Sequence, residues 1–169
     1  MIAIRAAARR ALALEAEASD LESQLELLVH DVAPRLVTER GVGPITAAQV
    51  LNAYSHQGRF RSEAAFAALG GAAPIPASSG QTIRYRLNRG GDRQLNRALH
   101  TIVLSRLTHD PDTRAYAIRR AAEGKTPREI KRRLKRYVAR NLFRLLEVTG
   151  PHPVAEPRPP RTRMIGHCS

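Results

Sequence analysis

Apolar side chains recur along the start of the chain at a regular interval. Ala7, Ala11, Leu14, Ala18, Leu21, Leu25, Leu28 and Val32 are separated alternately by four residues and by three. That alternation keeps them on one seam of an α-helix and predicts a long coiled-coil helix over residues 1–34. The acids between them, Glu15, Glu17, Asp20, Glu22 and Glu26, fall off the seam and read as its solvated face, not as a metal site. An apolar seam needs cover, and two arrangements supply it. Either a second copy or another domain packs along it, or the helix lies on the chain's own core.

Past Pro34 the pattern breaks. Arg40-Gly41-Val42-Gly43-Pro44-Ile45 reads as a helix end, a glycine hairpin and a new helix with Pro44 in its first turn, the helix-hairpin-helix pattern. Gly41 and Gly43 let the backbone turn and leave amide N–H groups at a helix N-terminus, which suits a DNA phosphate. The same residues also make a plain packing corner. Ser62 followed by Glu63 predicts a helix start, and Gly70-Gly71 its stop. From Ala72 to Gly80 the chain is small and proline-punctuated, hence a loop; Gln81 to Leu87 is briefly extended before Asn88-Arg89-Gly90-Gly91 turns it.

Asp92 then caps a helix with Leu95, Leu99, Ile102 and Val103 as its buried stripe, ended by Asp110-Pro111-Asp112. A further helix stops at Gly124. Thr126-Pro127-Arg128-Glu129 is a capping box with proline at the first helical position, and Ile130, Leu134, Tyr137, Val138, Asn141 and Leu145 trace the buried face that follows. From Gly150 onward Pro and Arg dominate without an apolar period, which predicts a disordered tail. The reading is an all-α chain in three parts: the helix over 1–34, a helical domain over 35–148 and the tail over 149–169.

Composition agrees with helix packing, since aromatics are 4% and Trp is absent, leaving Ala, Leu, Ile and Val to build the core. Charge changes the picture more. The formal net charge is +13, and residues 84–144, with 18 Lys/Arg against 5 Asp/Glu, hold the whole excess. Arg far outnumbers Lys there, which favours a phosphate-reading surface over a face made basic for solubility. On the last helix Lys131, Arg132, Lys135, Arg136, Arg140 and Arg144 cover much of what the apolar face leaves. Cys168 is the single cysteine and can form no internal disulfide, and no apolar run has membrane-spanning length. A cytoplasmic protein with no membrane partner is expected.

The sequence carries no zinc-spaced Cys/His cluster, no phosphate loop and no Gly-x-Ser-x-Gly elbow. What remains is Ser78-Ser79-Gly80, followed closely by Arg84, Arg86, Arg89 and Arg93. A serine alcohol needs precise placement to attack a phosphodiester, and guanidinium groups stabilise the charge that gathers on the phosphate oxygens. Ser-Ser-Gly is equally an ordinary loop tripeptide.

Four blocks carry a resemblance: Gly41-Val-Gly-Pro-Ile-Thr-Ala-Ala, the stretch from Phe60 to Gly71, Ala73-Pro-Ile-Pro-Ala-Ser-Ser-Gly, and the stretch from Arg86 to Leu99. In order and spacing they resemble the C-terminal transposase domain of the insertion-sequence "one-ten" family, over roughly residues 35–148. The resemblance implies a DNA transposase that couples an RNase H-like domain with four metal-binding acids to a serine-bearing domain, guided by a structured RNA. It places the nucleophile on Ser79, before Gly80, and implies a covalent phosphoserine intermediate. The acidic domain is missing from this sequence, so no metal site and no cofactor are expected in this chain, with Mg²⁺ expected only in the missing part. The chain alone is expected to be inactive. The DNA-binding residues expected are Gly41, Gly43, Arg84, Arg86, Arg89, Arg93, Arg97, Arg132, Arg136 and Arg140. A non-catalytic nucleic-acid-binding remnant is the alternative, and self-association through the first helix is expected in either case.

Overall fold

Ile2 to Val32 contain neither glycine nor proline, and in the computed structural model of the chain they form one unbroken helix, α1, of 31 residues. The structure describes residues 1–73, 75–76, 85–86 and 90–149, with the backbone alone at 75–76, 85–86 and 149. The tail expected from Gly150 onward lies outside the described residues. Seven helices lie in the described part, and the fold is all-α. After α1 come the one-turn α2 (Pro34–Val37), α3 (Pro44–Tyr54), α4 (Glu63–Leu69), α5 (Arg93–His109), α6 (Pro111–Ala122) and α7 (Pro127–Thr149). Between α4 and α5, β1 (Ile75–Pro76) pairs antiparallel with β2 (Tyr85–Arg86), Ile75 opposite Arg86.

The helix starts are set by local hydrogen bonds at the residues the sequence marks. Ser62 Oγ accepts from Ala65 N–H at 3.3 Å, and Asp92 Oδ1 accepts from Leu95 N–H at 2.9 Å. Before α7, Thr126 N–H donates to Glu129 at 2.9 Å while Glu129 N–H donates back to Thr126 Oγ1 at 3.3 Å, a reciprocal box. Asp110 does more than end α5, because its carboxylate also caps α6 through Thr113 N–H. The Thr113 hydroxyl, and after it the Arg40 guanidinium, hold that carboxyl below its usual range.

All three phenylalanines and Tyr54 meet in one cluster between α3, α4 and α7, with ring centroids 5.3–6.4 Å apart. Phe66 is completely buried at its centre. Burial of a side chain of this size contributes roughly 2–3 kcal/mol, and each ring pair about 1 kcal/mol more, so a few aromatics supply a large share of the stability of so small a core. Tyr54 donates its hydroxyl to Glu147 at 2.6 Å, and burial first, then that carboxylate, pushes the phenol's pKa upward. Leu95, Leu99, Ile102 and Val103 are all fully buried on α5, as the spacing predicts.

Two apolar stripes differ from expectation. On α7 the buried residues are Ile130, Leu134, Val138, Ala139, Leu142, Phe143 and Leu146, whereas Tyr137 is 54% exposed and Asn141 and Leu145 are half-buried. A stripe that advances by four residues turns about 40° per step around a helix of 3.6 residues per turn. The buried face of α7 therefore winds around the helix instead of running straight, and it leaves Tyr137 behind. On α1 only the C-terminal end joins the core, through half-buried Leu25 and buried Val29, followed by Ala33 and Leu36. The heptad positions Leu14, Leu21, Leu28 and Val32 remain 45%, 58%, 66% and 41% exposed. The chain's own core thus covers α1 only from Leu25 onward, and along a different stripe.

Candidate nucleic-acid interface

The glycine turn between α2 and α3 is shaped by close approach to α5. Gly41 adopts φ +75°, and a Cβ there would sit 3.2 Å from the Ile102 carbonyl oxygen. Arg106 locks the turn, donating Nε–H to the Arg40 carbonyl at 2.8 Å and pairing with Glu39 at 2.7 Å, while Arg40 pairs with Asp110 at 2.8 Å. The Gly43 amide donates to Thr46 Oγ1 at 3.0 Å, so this N–H is already engaged in capping α3. Gly41 therefore has a packing role that the sequence pattern offers only as an alternative, and the amide of Gly43 serves the helix itself.

A second set of contacts ties the ends of the segment that joins α4 to α5. Asn96 on α5 donates Nδ2–H to the Gly70 carbonyl at 2.7 Å, and Asp92 N–H donates to the Leu69 carbonyl at 2.9 Å. Gly71, at φ +65°, leaves room for the Asn96 amide only 2.6 Å from where a Cβ would stand. Lys135 of α7 then donates to Asn96 Oδ1 at 3.3 Å. Burial, with Arg132 beside it, lowers the Lys135 pKa; burial, then Lys135 and Lys131, lowers that of His100 on the facing side of α5. The stem of the segment is thus held against a crowded positive face.

That face is most concentrated on α7. Glu129, Arg132, Arg133, Arg136, Tyr137 and Arg140 recur three and four residues apart, which places them on one side of the helix. With Ala72 they line an open groove of about 560 Å³. Arg132, Arg133 and Arg136 are exposed within it. Arg140 is different, since its Nε lies 2.6 Å from Glu63, which Arg144 also approaches at 3.1 Å. These two guanidinium groups, Arg140 first, hold the Glu63 carboxyl below its usual range and fasten α4 to α7. Of the arginines expected to bind DNA, Arg132 and Arg136 are therefore exposed in the groove without a direct salt bridge among the described residues, while Arg140 is half engaged in the fold.

The remaining expected residues are placed less closely together. Arg93 and Arg97 are exposed one turn apart on α5 and do not line the groove. Arg86 is described by its backbone alone, in β2, and Ser79, Arg84 and Arg89 lie outside the described residues. Reading the sequence alone missed Arg133 and misassigned Tyr137 to the core; the three-and-four spacing from Glu129 to Arg140 was the signal present. Among the described residues no group of three or more His, Cys, Asp or Glu side chains could hold a metal ion, so no residue here is assigned to Mg²⁺. Among them, too, no helix is long and apolar enough to cross a membrane.

Residues 33–117, which run from the end of α1 into α6, match the model of the Transposase IS116/IS110/IS902 family. The chain belongs to that family. It is 36% identical over 129 residues to the insertion element IS110 uncharacterized 43.6 kDa protein of Streptomyces coelicolor, covering 75% of this chain and 32% of that protein. It is 31% identical over 122 residues to the insertion element IS900 uncharacterized 42 kDa protein of Mycobacterium paratuberculosis, covering 70% of this chain and 31% of that protein. The chain thus spans about a third of the length of these relatives.

Proposed function

We propose that this chain is the part of a DNA transposase that grips the phosphodiester backbone and presents Ser79 as the nucleophile for strand cleavage and transfer. The observation that carries the first half is the groove on α7, where Arg132, Arg133 and Arg136 are exposed on one helix face and make no direct salt bridge among the described residues, Glu129 and Glu123 acting on Arg132 and Arg133 only at longer range. Guanidinium groups held on one rigid helix face suit the repeating phosphates of a nucleic acid and read no particular base. The second half rests on the family. Ala72, which lines the groove, precedes on the chain the segment that contains Ser79. In this reading the turn at Gly41 acts as a helix-hairpin-helix corner whose contribution is to fix α3 against α5. A structured RNA of the element is a further partner in the same reading, and the acidic residues that complete the reaction come from outside this chain.

Replacing Arg132 and Arg136 together by Gln is expected to weaken binding to duplex DNA of any sequence, by about tenfold or more. The slope of log affinity against log salt is expected to fall by about one for each phosphate that is no longer neutralised. Arg114→Gln, on the exposed side of α6, serves as the control. Fluorescence anisotropy decides it; wild-type affinity in the double variant contradicts the assignment of the groove.

The exposed seam of α1 belongs to the same proposal as a self-association face, since Leu14 and Leu21 lie beyond the part of α1 that the core reaches and Leu28 stays exposed beside buried Val29. Leu14→Asp with Leu21→Asp is expected to convert an oligomer to monomers in light scattering. Leu25 is left alone because it is packed against the core. A wild-type chain that remains monomeric at high concentration overturns this part.

A further inference from the structure

Tyr137 stands among arginines in the α7 groove with more than half of its surface exposed, at 54%. Its neighbours along the groove wall include Arg132, Arg133 and Arg136, all exposed, so the ring lies within a basic surface and not within the apolar core. Among the described residues its aromatic partner is Tyr116 of α6, at 6.0 Å between centroids and nearly perpendicular, 86°. Tyr116 is itself half-buried and packed on the core, with the guanidinium carbons of Arg119 and Arg120 at 5.6 Å and 5.2 Å from its ring centre. Tyr116 is thus a rigid post, and an edge-to-face contact with it leaves at least one face of Tyr137 uncovered by that partner.

We infer that Tyr137 is a stacking platform for an unpaired base, so that the α7 groove, whose arginines grip the phosphates of a duplex, also takes a single strand of nucleic acid with its phosphates along Arg132, Arg133 and Arg136. The inference rests on the backbone-gripping reading of the groove and adds a substrate class to it. A base within a duplex is stacked on both sides and cannot use the ring; an unpaired base offers a π-face whatever its identity, and arginines around the ring then hold the sugar-phosphate chain. Unpaired DNA and unpaired RNA present the same chemistry, so the test carries both.

The full chain is titrated with fluorescein-labelled oligonucleotides: one single-stranded DNA, one single-stranded RNA of the same sequence, and the matching DNA duplex. Tyr137→Leu keeps an apolar side chain against Tyr116 but has no π-face, Tyr137→Phe keeps the face, and thermal melts confirm that both are folded. Tyr137→Leu is expected to lose about tenfold in affinity for at least one single strand, in line with the effect of removing one stacked base, while duplex affinity changes less than about twofold. Tyr137→Phe is expected to bind as the wild type. In strands carrying 2-aminopurine, binding is expected to quench the fluorescence with wild type and with Tyr137→Phe, and not with Tyr137→Leu. The strand that shows this pattern, DNA or RNA, identifies the source of the base. Equal losses for strand and duplex, or no loss for either strand, overturn the platform while leaving the arginine groove intact. Failure of the groove itself shows separately, as weak and salt-independent binding of every oligonucleotide by the wild-type chain.

Discussion

Between ~0.05 M and ~0.2 M salt, the affinity of this chain for duplex DNA is expected to fall about a thousandfold. The magnitude follows from which charges are free to meet phosphates. Arg40, Arg106, Arg120, Arg140 and Arg144 are engaged by Asp110, Glu39, Glu123 and Glu63 within the fold. Arg93, Arg97, Arg128, Arg132, Arg133 and Arg136 are exposed on α5 and α7 and make no direct salt bridge among the described residues. About six phosphate contacts release enough counterions to give a loss at the lower end of the range known for such proteins. Had every cation of the +13 excess been free, the loss would be steeper by orders of magnitude. Anisotropy titrations at the two salt concentrations measure it directly. A profile that is flat within error contradicts an electrostatic grip, and a loss near tenfold corresponds to about two phosphate contacts, the share of α5 alone, and contradicts the groove on α7.

The parts of the fold that could be read from the sequence are those set within one or two turns of chain. The caps at Ser62, Asp92 and Thr126 are local hydrogen-bond arrangements between residues three apart, and the structure forms each of them. The α5 stripe was legible for the same reason, since α5 packs along one straight face. On α7 the period alone misled, because the buried stripe advances by four residues at a time and leaves Tyr137 at the surface. Nothing in the spacing of Arg106 or Arg140 says that Glu39 and Glu63 engage them, for these partners lie far away along the chain and are brought near by packing alone. The number of basic residues therefore overstates the binding face. Similarly, the heptad of α1 announces a long helix and a seam, but the turn at Pro34 and the placement of Val29 decide how little of it this chain covers.

Replacing Ser79 by Ala is expected to abolish covalent attachment of this protein to DNA while leaving DNA affinity within about twofold of wild type, since one neutral hydroxyl adds little to a grip made by many arginines. In the proposed reaction the Ser79 oxygen bonds to the scissile phosphorus as the bond to the departing strand oxygen breaks. A phosphodiester becomes a phosphoserine ester, and the proton given up by the serine ends on the released hydroxyl of the strand. Charge gathers on the non-bridging oxygens during the exchange, where Arg84, Arg86 and Arg93 are the proposed clamps; replacing any of them is expected to slow cleavage more than it weakens binding. Ser78→Ala is the internal control and is expected to retain cleavage. The reaction is to be run with the chain alone and with the chain complemented by the acidic domain that the proposed reading calls for. The measurement that tests the account most directly is peptide mass spectrometry of DNA-protein adducts trapped from that complex. The predicted result is a nucleotide phosphate on Ser79 in wild type and in Ser78→Ala, and none in Ser79→Ala. An adduct on any other residue, or an undiminished adduct in Ser79→Ala, contradicts it.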